Sequence, residues 1–562
     1  MKFKNRINKK TLFWSYLVLM LVVKLFLSTG FRVWAFGDNP YDDGMMVLEA
    51  TKLIDYKWLG HFTQYTLAKG MIFPLYLCLI NKIGLPFLFS MVLLSFGACV
   101  TFVLAIRKLI PNRLLLALFF TVLMFNPISN YYWTFNRVYR DSIYSYLVIF
   151  SFSFIIALFL NRTGTLRKTF FLSIGTGISL AAVWLAREDS PWIVPYVGLA
   201  LLITVVSILL NKELHHKFKR LLAIGITPAI LIISILGVST INYIGYGVFA
   251  TNEFTGGSLP VLMKELQSIK PDVWMAKVPI PESTREKAYA VSPTFAKLKP
   301  VLETHGFVTL SNGNPTCDML VWAVVDSVQY AGMTDGKSSQ LFYKKAAAEI
   351  QSAIDKGELQ TRGGYVSVFE SPWDNRYITP LLQSLSEAIH MTVSMKGYHS
   401  AHLEVQNVPS SGTDAQIRQI EEVTNNLAYY KSEVLPERKS KADFLSQVRL
   451  LYEMCNPAIT ALGILCYIYI FIRFLLSIRS KKYVHFEAWI ILTGLYLSYL
   501  LRLSLICYSN VSCNFMLYPM YLAPAYWLIL MTTFLSIMIA GKDLWHSLKD
   551  KIYTPKIRPD HS

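Results

Sequence analysis

The chain opens with MKFKNRINKK (Met1–Lys10) and continues with TLFWSYLVLMLVVKLFLSTGF (Thr11–Phe31). The first segment is basic and contains no acid. The second reaches the roughly 18–20 apolar residues that a helix needs to cross a bilayer. A signal peptide has a shorter apolar core, of about 7–15 residues, and a small-residue cleavage site after it. This run is too long and lacks that site, so it reads as a retained anchor with Met1 in the cytoplasm.

Further apolar runs follow at Phe87–Ile106, Leu114–Phe125, Ile143–Leu160, Phe170–Ala186, Trp192–Leu210, Leu221–Phe249, Ala458–Leu476, Ala488–Cys507 and Leu517–Ala540, some of them short for a span and Leu114–Phe125 the shortest. The expected fold is therefore an α-helical polytopic membrane protein with about ten transmembrane helices. The composition agrees, with 53% hydrophobic and only 16% charged residues, against about 25% charged in soluble proteins.

Alternating sides from a cytoplasmic Met1 places Arg107–Arg113, Asn161–Lys168, Asn211–Arg220, Arg479–Lys482 and Lys542–Ser562 inside. Each is rich in Lys or Arg, as the positive-inside rule requires, and both termini are cytoplasmic. This accounts for the formal net charge of +18 and removes nucleic acid as a partner. Met71–Gly84, interrupted by Asn81 and Lys82, reads as a short helix that does not fully cross. The seven cysteines are scattered and form no metal-ligand cluster; Cys507 and Cys513 read as free thiols.

Four parts follow from this reading. Residues 1–249 form an N-terminal membrane module with a first outer loop at 32–70. Residues 250–457 form an extracytoplasmic soluble domain, mainly helical with some strand (α+β). Residues 458–540 return to the membrane, and 541–562 form a cytoplasmic tail. In the soluble domain, helices are expected at Leu259–Ile269, Ser292–Leu302, Phe342–Asp355 and Asp414–Tyr430. A strand is expected at Tyr365–Phe369, and Pro436 is expected to end a helix. The domain reads as a packing or acceptor-docking module.

The chemistry-bearing residues fall in the outer loops. Asp42 and Asp43 are adjacent in the first, just before an amphipathic stretch. They fit either simple helix caps or a general base or metal site. His61 and Lys69 follow, Lys69 standing where a snorkelling side chain or a phosphate contact would both fit. The second loop carries Arg137, Arg140 and Asp141. The two guanidiniums, three residues apart, suit an anion with several oxygens. The third is the tight turn Arg187-Glu188-Asp189. Arg502 sits in the outer half of a span, where a buried cation needs an anion.

The basic anchor, Asp42 and Asp43, the stretch Leu67-Ala68-Lys69-Gly70-Met71-Ile72-Phe73-Pro74-Leu75-Tyr76, the Arg137–Asp141 loop and Tyr518–Pro524 together resemble the GT-C superfamily of membrane glycosyltransferases. The likeness is to its polyprenyl-phosphate-sugar users, related to protein mannosyltransferases and the lipid A aminoarabinose transferase. It covers roughly residues 1–250 and, loosely, 455–540. It implies transfer of a hexosyl or pentosyl group, with inversion, from a polyprenyl-phosphate-linked sugar to a cell-envelope glycan, lipid or protein. Asp42 or Asp43 would be the general base, and Lys69, Arg137, Arg140, Arg187 and Arg502 would hold the donor phosphate. His61, Asp141, Glu188 and Asp189 are further candidates. Some members use a divalent metal and some do not; if one binds here, Asp42 and Asp43 would be its ligands. The envelope-like layout, with no clear organelle or secretory signal, points to a bacterial plasma membrane. The competing readings are a multi-span transporter or lipid flippase of envelope precursors, and a scaffold presenting the outer domain.

Overall fold

The structure, a computed structural model, describes residues 8–40, 42–395, 410–428 and 436–553. Part of the basic start, the end of the tail and Tyr430 lie outside them. In chain order, α1 (Lys9–Ser28) precedes two short helices, α2 (Asp43–Ile54) and α3 (Ile72–Lys82). Next come α4 (Phe87–Ala105), α5 (Arg113–Met124), α6 (Asp141–Leu160), α7 (Leu166–Ala186), α8 (Val194–Leu210) and α9 (Lys217–Tyr246). The domain that follows contains α10 (Leu259–Ser268), α11 (Glu282–Val291), α12 (Pro293–Ala296), α13 (Lys299–Leu302), α14 (Gly306–Thr309), α15 (Cys317–Tyr330), α16 (Gly336–Asp355), α17 (Ile378–Ser394) and α18 (Asp414–Thr424). The bundle closes with α19 (Pro436–Arg479), α20 (Phe486–Ser512) and α21 (Pro519–Tyr553).

Among the described residues, nine helices are long and apolar enough to cross a bilayer. The chain is a multi-pass α-helical membrane protein. The expected span at Leu114–Phe125 is the exception to full length. Helix α5 has 12 residues, or about 18 Å, against a hydrocarbon core of about 30 Å. Its ends are set locally. The Asn112 side chain accepts from the Leu114 N–H at 2.9 Å, and Asn126-Pro127 turns the chain into a short 3₁₀ segment.

Helix α3 has 11 residues and stays at one end of the bundle. Asn81 Nδ2 donates to the Glu422 carbonyl of α18 at 2.7 Å, and Asn425 Nδ2 lies 3.4 Å from the Ile80 carbonyl. The loops expected outside thus gather at one end with the large domain. The basic connections gather at the other. There Lys108 Nζ donates to the Leu160 carbonyl at 2.6 Å, Arg162 pairs with Glu487 at 2.6 Å, and Arg220 Nη1 lies 3.3 Å from the Arg162 carbonyl. Strict alternation of the spans predicts this segregation.

Among the described residues the domain is helical with isolated β-bridges only. The expected strand at Tyr365–Phe369 does not form. The Ser367 hydroxyl turns the backbone locally, accepting from the Phe369 N–H at 3.0 Å and bonding Glu370, a side-chain turn that competes with pairing. The helix expected over Ser292–Leu302 splits into α12 and α13, with Pro300 removing an N–H inside the run. Helix α18 stops at Thr424, where Asn425 takes a left-handed conformation (φ 49°). Pro436 opens α19 instead of ending a helix, a position that suits its missing N–H.

The domain is seated on the first loop. The Glu253 N–H donates to the Leu67 carbonyl at 2.7 Å. The Glu253 carboxylate is 3% exposed and, among the described residues, accepts from Gln340 alone, at 2.8 Å. Burial pushes its pKa up to about 7, partly offset by the Gln340 bond. An acid with a raised folded-state pKa stabilises the fold below its unfolded value, and that contribution is lost as pH rises through the folded value. Glu253→Gln should therefore match the wild type in thermal melting near pH 5. At pH 8 it should be the more stable, by up to about 3 kcal/mol.

Candidate functional site

Two loops and a turn meet over the ends of α6, α7, α20 and α21. Helix α1 delivers Phe31–Phe36 against the Tyr131–Val138 loop. The Trp34 N–H donates to the Asn136 carbonyl at 3.1 Å, and the Val138 N–H to the Trp34 carbonyl at 2.9 Å. This pairing places Arg137 beside the start of α2. Arg137 Nε and Nη2 reach Asp43 Oδ2 and Oδ1 at 3.0 and 2.6 Å. The Phe36 N–H adds a third bond to Asp43 at 3.0 Å. The guanidinium also lies 4.6 Å from the Trp133 ring centre and 4.3 Å from that of Tyr139, within cation–π range. Asp43 is fully buried. Burial lifts its pKa above the ordinary carboxylate range, with Arg137 pulling the other way.

Asp42 differs. Its side chain is 32% exposed. It occupies the N-cap position of α2 but makes no capping hydrogen bond, so the helix-cap explanation fails for it. Its Oδ1 pairs with Lys69 and accepts from the Tyr139 hydroxyl at 3.0 Å. Lys69 Nζ also lies 3.2 Å from Tyr139 Oη. Burial alone would raise the Asp42 pKa. Lys69, then Arg137 and Arg140, outweigh it and hold the carboxyl well below the ordinary range. Lys69 is delivered by backbone packing at Gly70. A Cβ there would run into the Leu185 and Ala186 backbone at the end of α7, so only glycine allows so close an approach.

The rest of the network follows from the turn after α7. Arg140 Nη1 contacts both oxygens of Glu188, at 2.6 and 2.7 Å. Arg187 bonds Asp141 and, through Nε at 2.9 Å, Asp189. Arg502 Nη1 meets Asp189 at 2.5 Å, and its Nη2 donates to the Tyr521 carbonyl at 3.1 Å. Arg502 is fully buried, and Asp189 is the anion its position in a span demands. Burial would raise the Asp189 and Glu188 pKa values. Arg187 and Arg502 reverse this for Asp189, and Arg140 does so for Glu188. Some hydrogen-bonding capacity is unspent. Arg140 Nε, Arg502 Nε, Asp141 Oδ2 and Glu49 Oε1 are buried without partners among the described residues.

Of the residues singled out in the sequence, Asp42, Asp43, Lys69, Arg137, Arg140, Asp141, Arg187, Glu188, Asp189 and Arg502 share this network. His61 does not: its side chain is exposed on the loop. Two participants were not anticipated. Tyr139 bridges Asp42 and Lys69, and its position between Arg137 and Arg140 was the available signal. Glu49, on α2, is 5% exposed. Burial raises its pKa well above the ordinary value, with Lys69 opposing; a lone glutamate on an amphipathic stretch gives no sequence signal for this.

The donor set does not fit a metal held by Asp42 and Asp43. Arg137 and the Phe36 N–H occupy both oxygens of Asp43, while Lys69 and Tyr139 crowd Oδ1 of Asp42. A divalent ion would face two cations within the same bonds.

The large domain borders the site. Lys69 Nζ lies 5.8 Å from the Trp322 ring centre of α15. On the same helix Asp326 accepts from the Tyr65 hydroxyl at 2.6 Å and lies 3.0 Å from His305 Nε2.

No family profile and no curated protein matches the chain. The crystal structure of ArnT from Cupriavidus metallidurans in the apo state aligns over 97% of this chain and 81% of that chain, at 11% identity and a TM-score of 0.33.

The two aspartates should separate by stability. Asp43→Asn leaves Arg137 buried and unpaired, and should cost about 3–5 kcal/mol. Asp42→Asn, at a partly exposed position, should cost only about 1 kcal/mol. Melting of the purified full chain in detergent reads both; equal losses would contradict this division of labour.

Proposed function

We propose that the chain is a GT-C-type membrane glycosyltransferase that moves a sugar from a polyprenyl-phosphate donor to a cell-envelope acceptor. The reaction takes place at the outer face of a bacterial plasma membrane and inverts the anomeric centre. One observation carries the reading: Asp42, the most exposed carboxylate of the charged network, stands with Lys69, Arg137, Arg140, Arg187 and Arg502 at one end of the bundle. Acid and cations gathered at one end of the bundle suit a reaction that removes a proton on one side and releases a phosphate on the other. The unpartnered Nε donors of Arg140 and Arg502 add capacity for an oxyanion, since unmet buried donors are costly.

In this reading the acceptor hydroxyl gives its proton to Asp42. Its oxygen bonds to the anomeric carbon as the bond from that carbon to the phosphate oxygen breaks. The electron pair leaves with the polyprenyl phosphate, whose growing charge the guanidiniums and Lys69 stabilise. Asp43 cannot share the base role, because Arg137 and the Phe36 N–H engage both of its oxygens; it positions Arg137.

The Lys69–Asp42 pair couples donor binding to base strength. With Lys69 on Asp42, the carboxylate stays ionised and is a weak base. A donor phosphate that draws Lys69 away removes the largest influence lowering the Asp42 pKa and makes it a better proton acceptor, closer to the range where general bases work.

The test uses membranes from cells expressing the full chain, supplied with radiolabelled sugar through the host's polyprenyl-phosphate pool. Asp42→Asn should lower transfer to envelope acceptors by about 10²-fold or more. Transfer at the wild-type rate removes Asp42 as the base. Movement of label across proteoliposomes without a glycosidic bond replaces the enzyme with a transporter. Lys69→Gln should keep measurable transfer but move the acid limb of the pH profile to higher pH, because Asp42 then protonates more readily.

A further inference from the structure

The basic end of the bundle holds a cavity of about 520 Å³, formed where the connections after α4 and α6 meet the first turn of α20 and the far part of α21. Its charged lining is Lys108, Arg162, Glu487, Lys542 and Asp543, with His485 and His546 beside them. The two carboxylates are already committed. Glu487 pairs with Arg162 at 2.6 Å. Asp543 lies 3.3 Å from both Arg473 and His485 and accepts from the Tyr469 hydroxyl at 2.7 Å.

The two lysines are not committed. Lys108 Nζ reaches the Leu160 carbonyl at 2.6 Å, and Lys542 Nζ the Leu109 carbonyl at 3.4 Å. Neither has a carboxylate partner among the described residues, and both side chains are exposed. An ammonium group has three donors, so each keeps capacity beyond one carbonyl. The cavity is also remote from Asp42. Helix α6 runs from Asp141 in the charged network to Leu160 beside Lys108, a separation of about 30 Å at 1.5 Å per residue.

We propose that this cavity binds a phosphate oxyanion, held by Lys108 and Lys542. A basic cavity between spans, on the side that the positive-inside rule assigns to the cytoplasm, has the chemistry that takes anionic lipid headgroups. A free phosphate offers the same oxygens. The site is independent of the transferase reading, because none of its residues belongs to the Asp42 network.

The full chain in neutral detergent is titrated calorimetrically with dihexanoyl phosphatidylglycerol and, separately, with inorganic phosphate. Two variants are compared. Lys108→Gln/Lys542→Gln empties the cavity of its free cations. Lys212→Gln/Lys219→Gln removes the same charge from exposed positions at the same end, one in the α8–α9 connection and one in the first turn of α9. At about fivefold per lysine, the first double variant should bind roughly 30-fold more weakly, and the second should bind as the wild type does. Binding of the phospholipid names a headgroup as the source, and binding of inorganic phosphate alone names a free anion. The proposal falls if neither probe binds the wild type. It falls equally if the two double variants weaken binding alike, which would mean diffuse surface charge.

Discussion

Five cations and five carboxylates hold one end of this bundle together. Lys69, Arg137, Arg140, Arg187 and Arg502 face Asp42, Asp43, Asp141, Glu188 and Asp189, and each member contacts one of opposite sign. Buried charges are tolerated only when paired and hydrogen-bonded, so this balance is what lets three separate loops enter the core. The 32–70 loop is held against the 126–141 loop as well by backbone pairing at Trp34, by the Asn136 Nδ2 bond to the Arg32 carbonyl and by an aromatic cluster around Trp34. A neutral network has a chemical corollary. A phosphate brings extra negative charge, so it must be met by exchange of partners within the network. The pair with the more exposed carboxylate, Lys69–Asp42, is the easiest to open.

The loops converge because of the spans below them. Gly70 brings the first loop onto the end of α7, and the same helix end leads directly into Arg187, Glu188 and Asp189. Helix α15 then closes over Lys69 through Trp322. The large domain therefore borders the site through this helix.

The bundle was legible wherever apolar runs were long. Charge alternation also sorted the loops correctly into two groups. At Leu114–Phe125 the short apolar run matched a helix of 12 residues, whose ends are set by capping at Asn112 and the turn at Asn126-Pro127. The members of the charged network could be named because outer loops with several charges are few. Their pairings could not: Asp43 and Arg137 are 94 residues apart, and Arg502 finds its anion 313 residues away. The same holds for Lys24, inside the first apolar run. It is buried and donates to Asn130 Oδ1 at 2.5 Å and Ser129 Oγ at 3.0 Å, partners that only the fold supplies. Glu49 was hidden for a different reason, since burial alone distinguishes it from an ordinary surface glutamate.

Three helices are fastened at both ends. Helix α6 ends in Asp141 on one side and under Lys108 on the other. Helix α20 is tied through Glu487 and Arg502, and α21 through Asp543 and the Tyr521 carbonyl. A helix fixed at two depths cannot tilt freely to match a bilayer that is too thin or too thick. Mismatch must then be absorbed by the lipids, which stretch or compress around the protein. The protein sets its own local membrane thickness, and with it the depth at which a long-chain lipid substrate would meet the charged network.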